Sequence, residues 1–437
     1  MNNLNKCTRG AFTPIKRATP LLAILSVLIS CSSTKYGTTQ KNLSQKFANT
    51  HYQNHFTGFL LVDANTRDTL YNQNSRKYFT PASNTKIFTL YTAIKTLPNK
   101  IPALRYLVFK DTLFVEGTGD PTFLHPFFKD STAINFMKNY KNIVVSTSNF
   151  KEEKFGTGWA WDDYHYYYSA ERSSLPMYGN VVNLHNTDTT IATPLAFQKK
   201  IVPVSFKRNR EIDRNLFYFD VVRQDTLQVP FITSDSLTKQ LLENVLHQNI
   251  ALTEAMPKGQ KEILYSVPSD SLYKRMMQKS DNFLAEQMLL LTSSLISDTL
   301  KTKIAITHSL ENLLADVKQP PRWVDGSGLS RYNLFTPQSV VNVLQKLYVE
   351  LPKARLFNLF PTWDASGTLS DTEKGNGNTY IYAKSGSFSN NYCLSGYLLT
   401  KSGKTLIFSF MNNHFKRPSA EVREEIKTAL DWLHHNQ

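Results

Sequence analysis

The sequence predicts an α/β (α+β) chain interrupted by an inserted, mainly β region, and three observations carry that prediction. Strand-like alternation appears near both ends, at 58–62 and 68–71 and again at 380–384, 393–400 and 405–411. Helical periodicity runs over 83–97, 269–295 and 301–314, and the chain closes on Val422, Ile426, Leu430 and Leu433 at helical spacing. From about 99 to 262 the pattern changes to short β-like runs and Gly/Asp/Pro turns around one helix, 236–247. With 437 residues, 41% of them apolar and 12% aromatic, the chain can bury a real core, which excludes a disordered protein. Three Cys exclude a disulfide framework or a cysteine-rich zinc scaffold. The unusual bulk quantity is charge: 50 Lys+Arg against 35 Asp+Glu leave +15, which by itself points to nucleic acid or an anionic surface.

The N-terminus redirects that reading. Residues 1–30 carry Lys6, Arg9, Lys16 and Arg17 with no acidic residue, followed by an apolar run over 21–29. The run is too short to cross a bilayer comfortably and predicts an export signal. It ends in Leu28-Ile29-Ser30-Cys31, which resembles the lipobox of bacterial lipoproteins. That resemblance implies an exported chain, lipidated on Cys31 and anchored in the bacterial cell envelope facing the periplasm. Acyl chains hold a protein to the membrane by roughly 0.8 kcal/mol per buried methylene. Loss of 1–30 removes four basic residues and leaves +11. An exported chain has little access to nucleic acid, so none is expected as a partner. Cys31 and Cys393 remain, one modified and one alone, and no internal disulfide is expected.

The elements follow in order. Residues 31–54 are polar and read as a tether. Residues 55–98 form the first part of the main domain, with two strands joined at the turn Asp63-Ala64-Asn65-Thr66. Pro81-Ala82-Ser83 then opens a helix bearing Ile87, Phe88, Leu90, Tyr91, Ala93, Ile94 and Leu97. Apolar residues on nearly every face predict a buried central helix. Residues 99–262 are the inserted accessory region, and 263–437 the second part of the main domain.

Three motifs occur in order: Ser83-Asn84-Thr85-Lys86, Ser280-Asp281-Asn282 and Lys384-Ser385-Gly386. This set accompanies serine acyl transfer. At i and i+3 on a helix, Ser83 and Lys86 share a face. A serine hydroxyl needs an adjacent base. A lysine serves only if its pKa, ordinarily about 10.4, is lowered. Burial and a nearby cation both do so, and Lys384 is the candidate cation. Ser83 at a helix N-terminus offers its own N–H as half of an oxyanion hole, with an N–H beside Ser387 as the other half. Asn282 offers an amide to the substrate, and Lys384 a charge for a terminal carboxylate.

No single motif is specific. Ser-x-x-Lys begins at Ser32, Ser83, Ser148, Ser236 and Ser271, and Lys-Ser-Gly at Lys384 and Lys401. Lys401 lies between two strand runs and reads as a turn, whereas Lys384 follows Tyr380-Ile381-Tyr382-Ala383 on a strand. Ser236 opens a one-sided, surface-type helix, and Ser83 an apolar one.

The motifs together resemble class C low-molecular-mass penicillin-binding proteins, the D-alanyl-D-alanine carboxypeptidases/endopeptidases with a large insertion. Similarity runs over most of the chain from about residue 56. It includes Pro81-Ala82-Ser83, Gly119-Asp120-Pro121, Gly158-Trp159-Ala160-Trp161-Asp162-Asp163 and Asp325-Gly326-Ser327-Gly328-Leu329-Ser330-Arg331. The separation of 197 positions from Ser83 to Ser280 fits a family whose insertion separates the motifs. The resemblance implies a β-lactamase/transpeptidase-like domain made from both chain ends, its antiparallel sheet flanked by helices. It implies Ser83 as acylated nucleophile, Lys86 as base and Ser280 as proton relay. Asn282, Lys384, Ser385, Gly386 and Ser387 would line the cleft and hold substrate. Asp163, with Asp162 as alternative, would reach the cleft and meet the amino group of the peptide's diamino acid. Ser385 stands where Thr is common and keeps the hydroxyl. The expected substrate is a peptidoglycan stem peptide or cross-link, with a β-lactam as covalent inhibitor.

Other features have plainer readings. Asp120 reads as a turn residue, Cys393 as a small core residue, and 325–330 as a loop shaping the cleft. Trp159, Trp161 and Tyr166-Tyr167-Tyr168 read as packing or strand, with a sugar platform as the alternative. Ten His show no His-Glu-x-x-His spacing, and neither Gly-x-Ser-x-Gly nor a phosphate loop occurs, so no metal and no cofactor are expected. A β-lactamase or esterase on the same fold, and a non-catalytic wall-binding lipoprotein, are the rival functions.

Overall fold

The computed structural model describes residues 37–47, 52, 54–187, 189–363, 369–370 and 379–437. The expected signal and Cys31 lie outside the described residues. The chain divides into two compact units, Met1–Asn49 and Thr50–Gln437. In the first, residues 37–47, inside the stretch expected as a tether, form a helix.

The larger unit is organised by a seven-stranded antiparallel sheet. Its order is Leu369–Ser370, Thr362–Trp363, Ile381–Phe388, Asn391–Leu399, Thr405–Asn413, Phe56–Asp63, Thr69–Gln73. Both chain ends thus share one sheet: Phe56 pairs with Asn413 and Asp63 with Leu406. The period of two sorts the side chains between two covered faces. Leu60, Val62, Ile407 and Met411 join the core that also holds the helices Lys86–Thr96, Asn282–Ile296 and Pro337–Glu350. Phe59 and Phe410 take the other face, with ring centroids 5.8 Å apart. The C-terminal helix Ser419–Asn436 buries Val422, Ile426, Leu430 and Leu433. The helix Lys86–Thr96 is buried continuously from Lys86 to Ala93, as its all-round apolar pattern predicts.

The inserted region has its own apolar core, including Leu104, Val115, Ile143, Val182, Phe217, Val229 and Leu242. It covers a five-stranded sheet in the order Ile250–Leu252, Asn142–Ser146, Thr112–Gly117, Lys100–Phe109, Glu262–Pro268 and a three-stranded sheet, Leu227–Pro230, Val181–Asn186, Thr190–Thr193. The outgoing strand Lys100–Phe109 and the returning strand Glu262–Pro268 pair antiparallel, so the sheet continues past residue 262 to Pro268. A chain that leaves a domain and returns beside its exit satisfies both backbones this way.

Several elements differ from the sequence expectation. The helix expected over 269–295 is two helices, Ser269–Gln278 and Asn282–Ile296, broken where Ser280 takes φ +54°. Asp281 caps the second, its Oδ1 accepting from Leu284 N at 3.0 Å. The helix expected over 301–314 ends as an α-helix at His308 and continues as a π turn, Ser309–Leu313. Among the β-like runs expected in the insertion, the apolar stretch 217–222 forms strand only at Phe217–Tyr218, because Asp220 turns the chain by accepting from Val222 N. The helix Pro337–Glu350 was not anticipated; its signal is Thr336, Pro337 and Ser339, which form a capping box with Pro in the first turn.

Candidate active site

A 3₁₀ turn, Ala82–Thr85, leads directly into Lys86–Thr96 and presents Ser83 half-buried at the helix start. One turn on, Lys86 is 0% exposed. Its Nζ donates to Ser83 Oγ (2.9 Å), Asn282 Oδ1 (2.7 Å) and the Ser327 carbonyl (2.7 Å). Two of these three partners can only accept. When the amine gives up one proton, its two N–H bonds remain with Asn282 and Ser327, and its lone pair is left facing the Ser83 hydroxyl. Burial lowers Lys86 from the ordinary lysine range to about 8, against the charges of Asp325, Glu286 and Asp281, which raise it.

The break in the helix at Ser280 brings the second motif to the same place. Ser280 Oγ accepts from Lys384 Nζ at 2.8 Å, and Asn282 Nδ2 donates to the Tyr168 carbonyl at 3.0 Å. Lys384 lies on the strand Ile381–Phe388, is buried, and also donates to the Ser385 carbonyl at 2.6 Å. Burial first, and then the charge of Lys86, hold Lys384 well below the lysine range. The expected influence of Lys384 on Lys86 therefore appears in the reverse sense. Desolvation is what lowers Lys86, because a fully enclosed ammonium loses its hydration.

Gly386 fastens this strand to the helix start. A Cβ there would stand 2.6 Å from the Pro81 carbonyl oxygen and 2.7 Å from Ser83 N, so only glycine allows the approach. Asn84 Nδ2 donates to the Lys384 carbonyl at 2.9 Å and locks the same seam. Ser385 is half-buried, and Ser387 is exposed at the rim.

Asp163 is half-buried and accepts from Tyr168 OH at 3.0 Å, which links it through the Tyr168 backbone to Asn282. Asp162 is exposed. Asp120 is a buried turn residue, accepting from Thr122 N and Ser266 Oγ, and burial raises its pKa to about 6. Cys393 is buried in the main core, where its thiol is pushed up to about 12. Lys401 lies in the turn that leads to Thr405–Asn413, as read from the sequence.

One residue beneath the site was missed. Glu286, one helical turn after Asn282, is 0% exposed; its Oε1 accepts from Ser327 N at 2.7 Å, and its Oε2 lies 3.5 Å from Arg172 Nη1. Asp325 completes the support: it accepts from Gly328 N, Ser330 N, Asn333 Nδ2 and Trp159 Nε1. This network sets the loop whose Ser327 carbonyl holds Lys86. The available signal was a lone acid, Glu286, inside the apolar run 283–291, which demands a buried partner. Burial and Asp325 raise the Glu286 pKa, while Arg172 and the Ser327 amide lower it. Glu286→Ala is expected to destabilise the chain by about 3 kcal/mol, because it removes the more buried of the two carboxylates beside enclosed Arg172 and leaves Glu152 Oε1, 3.7 Å from Nη2, as the other. Glu286→Gln, which keeps the acceptor for Ser327, should cost less. Urea midpoints measure both, and an unshifted midpoint for Glu286→Ala would contradict the network's role.

A serine and a lysine at a helix start, faced by a second pair made of Lys384 on a strand and Ser280 at a helix break, are the constellation of a serine-type acyl-transfer hydrolase. The chain belongs to the D-Ala-D-Ala carboxypeptidase 3 (S13) family, whose model matches residues 39–201 and 224–437. It is 24% identical over 418 residues to the D-alanyl-D-alanine carboxypeptidase DacB of Haemophilus influenzae, covering 82% of this chain and 85% of that one. It is 22% identical over 427 residues to the penicillin-sensitive carboxypeptidase A of Dictyostelium discoideum, covering 81% of each. Among solved structures, penicillin binding protein 4 (dacB) from Haemophilus influenzae superposes with a TM-score of 0.70 at 20% identity, covering 90% of this chain and 99% of that one. The same protein complexed with a novel β-lactam gives 0.63 at 18% identity, covering 91% and 99%. The fold is the transpeptidase-like α/β arrangement expected from the motifs.

Proposed function

We propose that the chain cleaves the D-alanyl bond of peptidoglycan stem peptides through an acyl-enzyme on Ser83. The observation that carries this is the contact of Lys86 Nζ with Ser83 Oγ, made by an amine that burial brings to about 8 and whose other two partners only accept. The free amine takes the hydroxyl proton as Oγ attacks the carbonyl carbon. The N–H of Ser83 and a strand N–H beside Ser387 stabilise the oxyanion. As the C–N bond breaks, Ser280 passes a proton to the leaving nitrogen from the Lys384 side, and D-alanine departs. Water then attacks the ester, its hydroxyl going to the acyl carbon and its proton to Ser83 Oγ; the proton that Lys86 gained replaces the one drawn from the Lys384 side, and the shortened peptide leaves. A carboxypeptidase and an endopeptidase share this acyl-enzyme and differ only in what leaves.

The substrate's terminal carboxylate would sit near Lys384, Ser385 and Ser387. A carboxylate there favours the charged form of Lys384, which burial otherwise opposes. Along the edge of Ile381–Phe388, Ile381 and Tyr382 pair with the neighbouring strand Thr362–Trp363 and Ala383 N donates to the Pro361 carbonyl at 3.0 Å, which among the described residues leaves 384–388 to receive an extended peptide. Asp163 offers a carboxylate to an amino group of the stem peptide. Asp163→Asn is expected to raise KM about tenfold for a stem peptide ending its side chain in an amine, with little change for the neutral analogue. Equal effects on both would remove Asp163 from recognition. The reading also places the protein at the cell envelope, tethered by lipid on Cys31. Among the described residues no helix is long and apolar enough to cross a membrane.

Mass spectrometry after treatment with penicillin tests the proposal. A penicilloyl adduct on the peptide containing Ser83, with D-alanine released from a stem pentapeptide, is the expected result. An adduct elsewhere would overturn it, and rapid turnover of nitrocefin would favour a β-lactamase. The same spectra report the lipid on Cys31.

A further inference from the structure

The inserted region contains a cavity of about 370 Å³ that the reaction above does not use. Its walls are Phe155, Trp159, Trp161 and Tyr164, and Glu171 and Arg210 lie at its base. The two charged residues are almost fully enclosed, at 3% and 1% exposed. Glu171 is held by Thr233, whose N and Oγ1 donate to its Oε2 at 2.8 and 2.7 Å. The Arg210 guanidinium lies 5.0 Å from the Tyr164 ring. Trp161, in contrast, is 68% exposed, with the Arg208 guanidinium 5.6 Å from its ring. The reading of Trp161 as packing does not hold; a tryptophan left this exposed at the mouth of a cavity marks a contact surface.

The cavity is fastened to the active site. Trp159 Nε1 donates to Asp325 Oδ2 at 2.9 Å, and Asp325 shapes the loop whose Ser327 carbonyl holds Lys86. A Cβ on Gly158 would stand 2.8 Å from Ser330 Oγ, so the aromatic segment lies directly on that loop. Asp163 falls between the lining residues Trp161 and Tyr164. Arg210 and Ile212 come from 202–223, the stretch between the two segments that match the family, so part of the cavity belongs to this chain's own sequence.

Aromatic walls over a charged base suit a ligand with apolar faces and a polar rim. A pyranose ring has both: its C–H faces lie on aromatic rings, and its hydroxyl and amide groups meet charged partners. Glu171 is already met by Thr233 and by Lys154 Nζ at 3.4 Å, whereas Arg210 Nε is buried without a hydrogen-bond partner, and a purely apolar ligand would leave it so. An extended peptide needs free backbone partners, and those lie on the strand Ile381–Phe388 instead. The stem peptide of the proposed substrate hangs from a chain of N-acetylated amino sugars. We propose that the cavity is a subsite for a pyranose ring of the glycan that carries the stem peptide. This rests on the proposed function and names more of its substrate.

Calorimetric titration of the full chain as Ser83→Ala, which binds without turnover, tests it with two ligands: a stem peptide, and the same peptide carrying its N-acetylated disaccharide. The disaccharide should tighten Kd about tenfold, the effect of one well-packed aromatic contact. Trp161→Ala in that background should bring the ratio near one, and Trp161→Phe should keep most of it. Because Trp161 is exposed, its removal leaves the core untouched. Equal Kd values for the two ligands, no binding by either, or a preference that survives Trp161→Ala would overturn the proposal. Penicillin labelling of the unsubstituted chain, run in parallel, reports separately on the acyl-enzyme reading.

Discussion

Ser83→Ala is expected to take up no covalent penicillin and to lose about 10⁶-fold in turnover, the scale of removing a catalytic serine. Of the other Ser-x-x-Lys serines, Ser236 and Ser148 should not replace it, for reasons visible in their surroundings. Ser236 is exposed, its hydroxyl meets Ser234 Oγ at 3.0 Å, and Lys239 is turned to Glu243 at 3.3 Å. Ser148 Oγ meets Ser146 Oγ at 3.0 Å. Ser83 combines an enclosed lysine with a helix-start N–H. Intact-mass measurement after hours with excess penicillin reads the result, and an adduct on the variant would move the nucleophile elsewhere.

Lys86→Ala is expected to slow acylation by about 10³-fold, within the range of a lost general base. The pH profile separates this from a packing defect. On the proposed mechanism the reactive species in the unsubstituted chain is the free amine, which burial brings to about 8. The acylation rate should therefore rise about tenfold per unit as pH climbs toward 8, then level off. The sign follows from the charge: desolvation disfavours the ammonium, so the base becomes available below the ordinary lysine range. In Lys86→Ala the limb near 8 should vanish along with the rate. Stopped-flow acylation from pH 6 to 10 measures both, and a variant that keeps the limb would assign the base to another group.

Much of this was legible in the chain. The i,i+3 spacing of Ser83 and Lys86, the all-round apolar helix behind them and the strand that carries Lys384 are local patterns. Local patterns survive in one sequence because helix and strand periods depend on neighbours along the chain. The edges of elements were less legible. The break at Ser280 interrupts a continuous helical pattern, and it is set by a positive φ that the cap at Asp281 and the seam to Lys384 sustain. Residues 262–268 join the insertion's sheet through pairing with 100–109, a contact that no local pattern announces.

What the sequence determined by itself is which groups are available: a serine and lysine on one helical face, a Ser-x-Asn, a Lys-Ser-Gly on a strand, and an insertion between them. What only the tertiary structure decided is their condition. Enclosure brings Lys86 to about 8, Glu286 and Arg172 support the loop that holds it, and Gly386 lets the strand touch the helix start. The physical reason is that desolvation, ion pairing and close backbone approach depend on atoms far away in sequence, whereas spacing along a helix or strand depends on the next few residues alone.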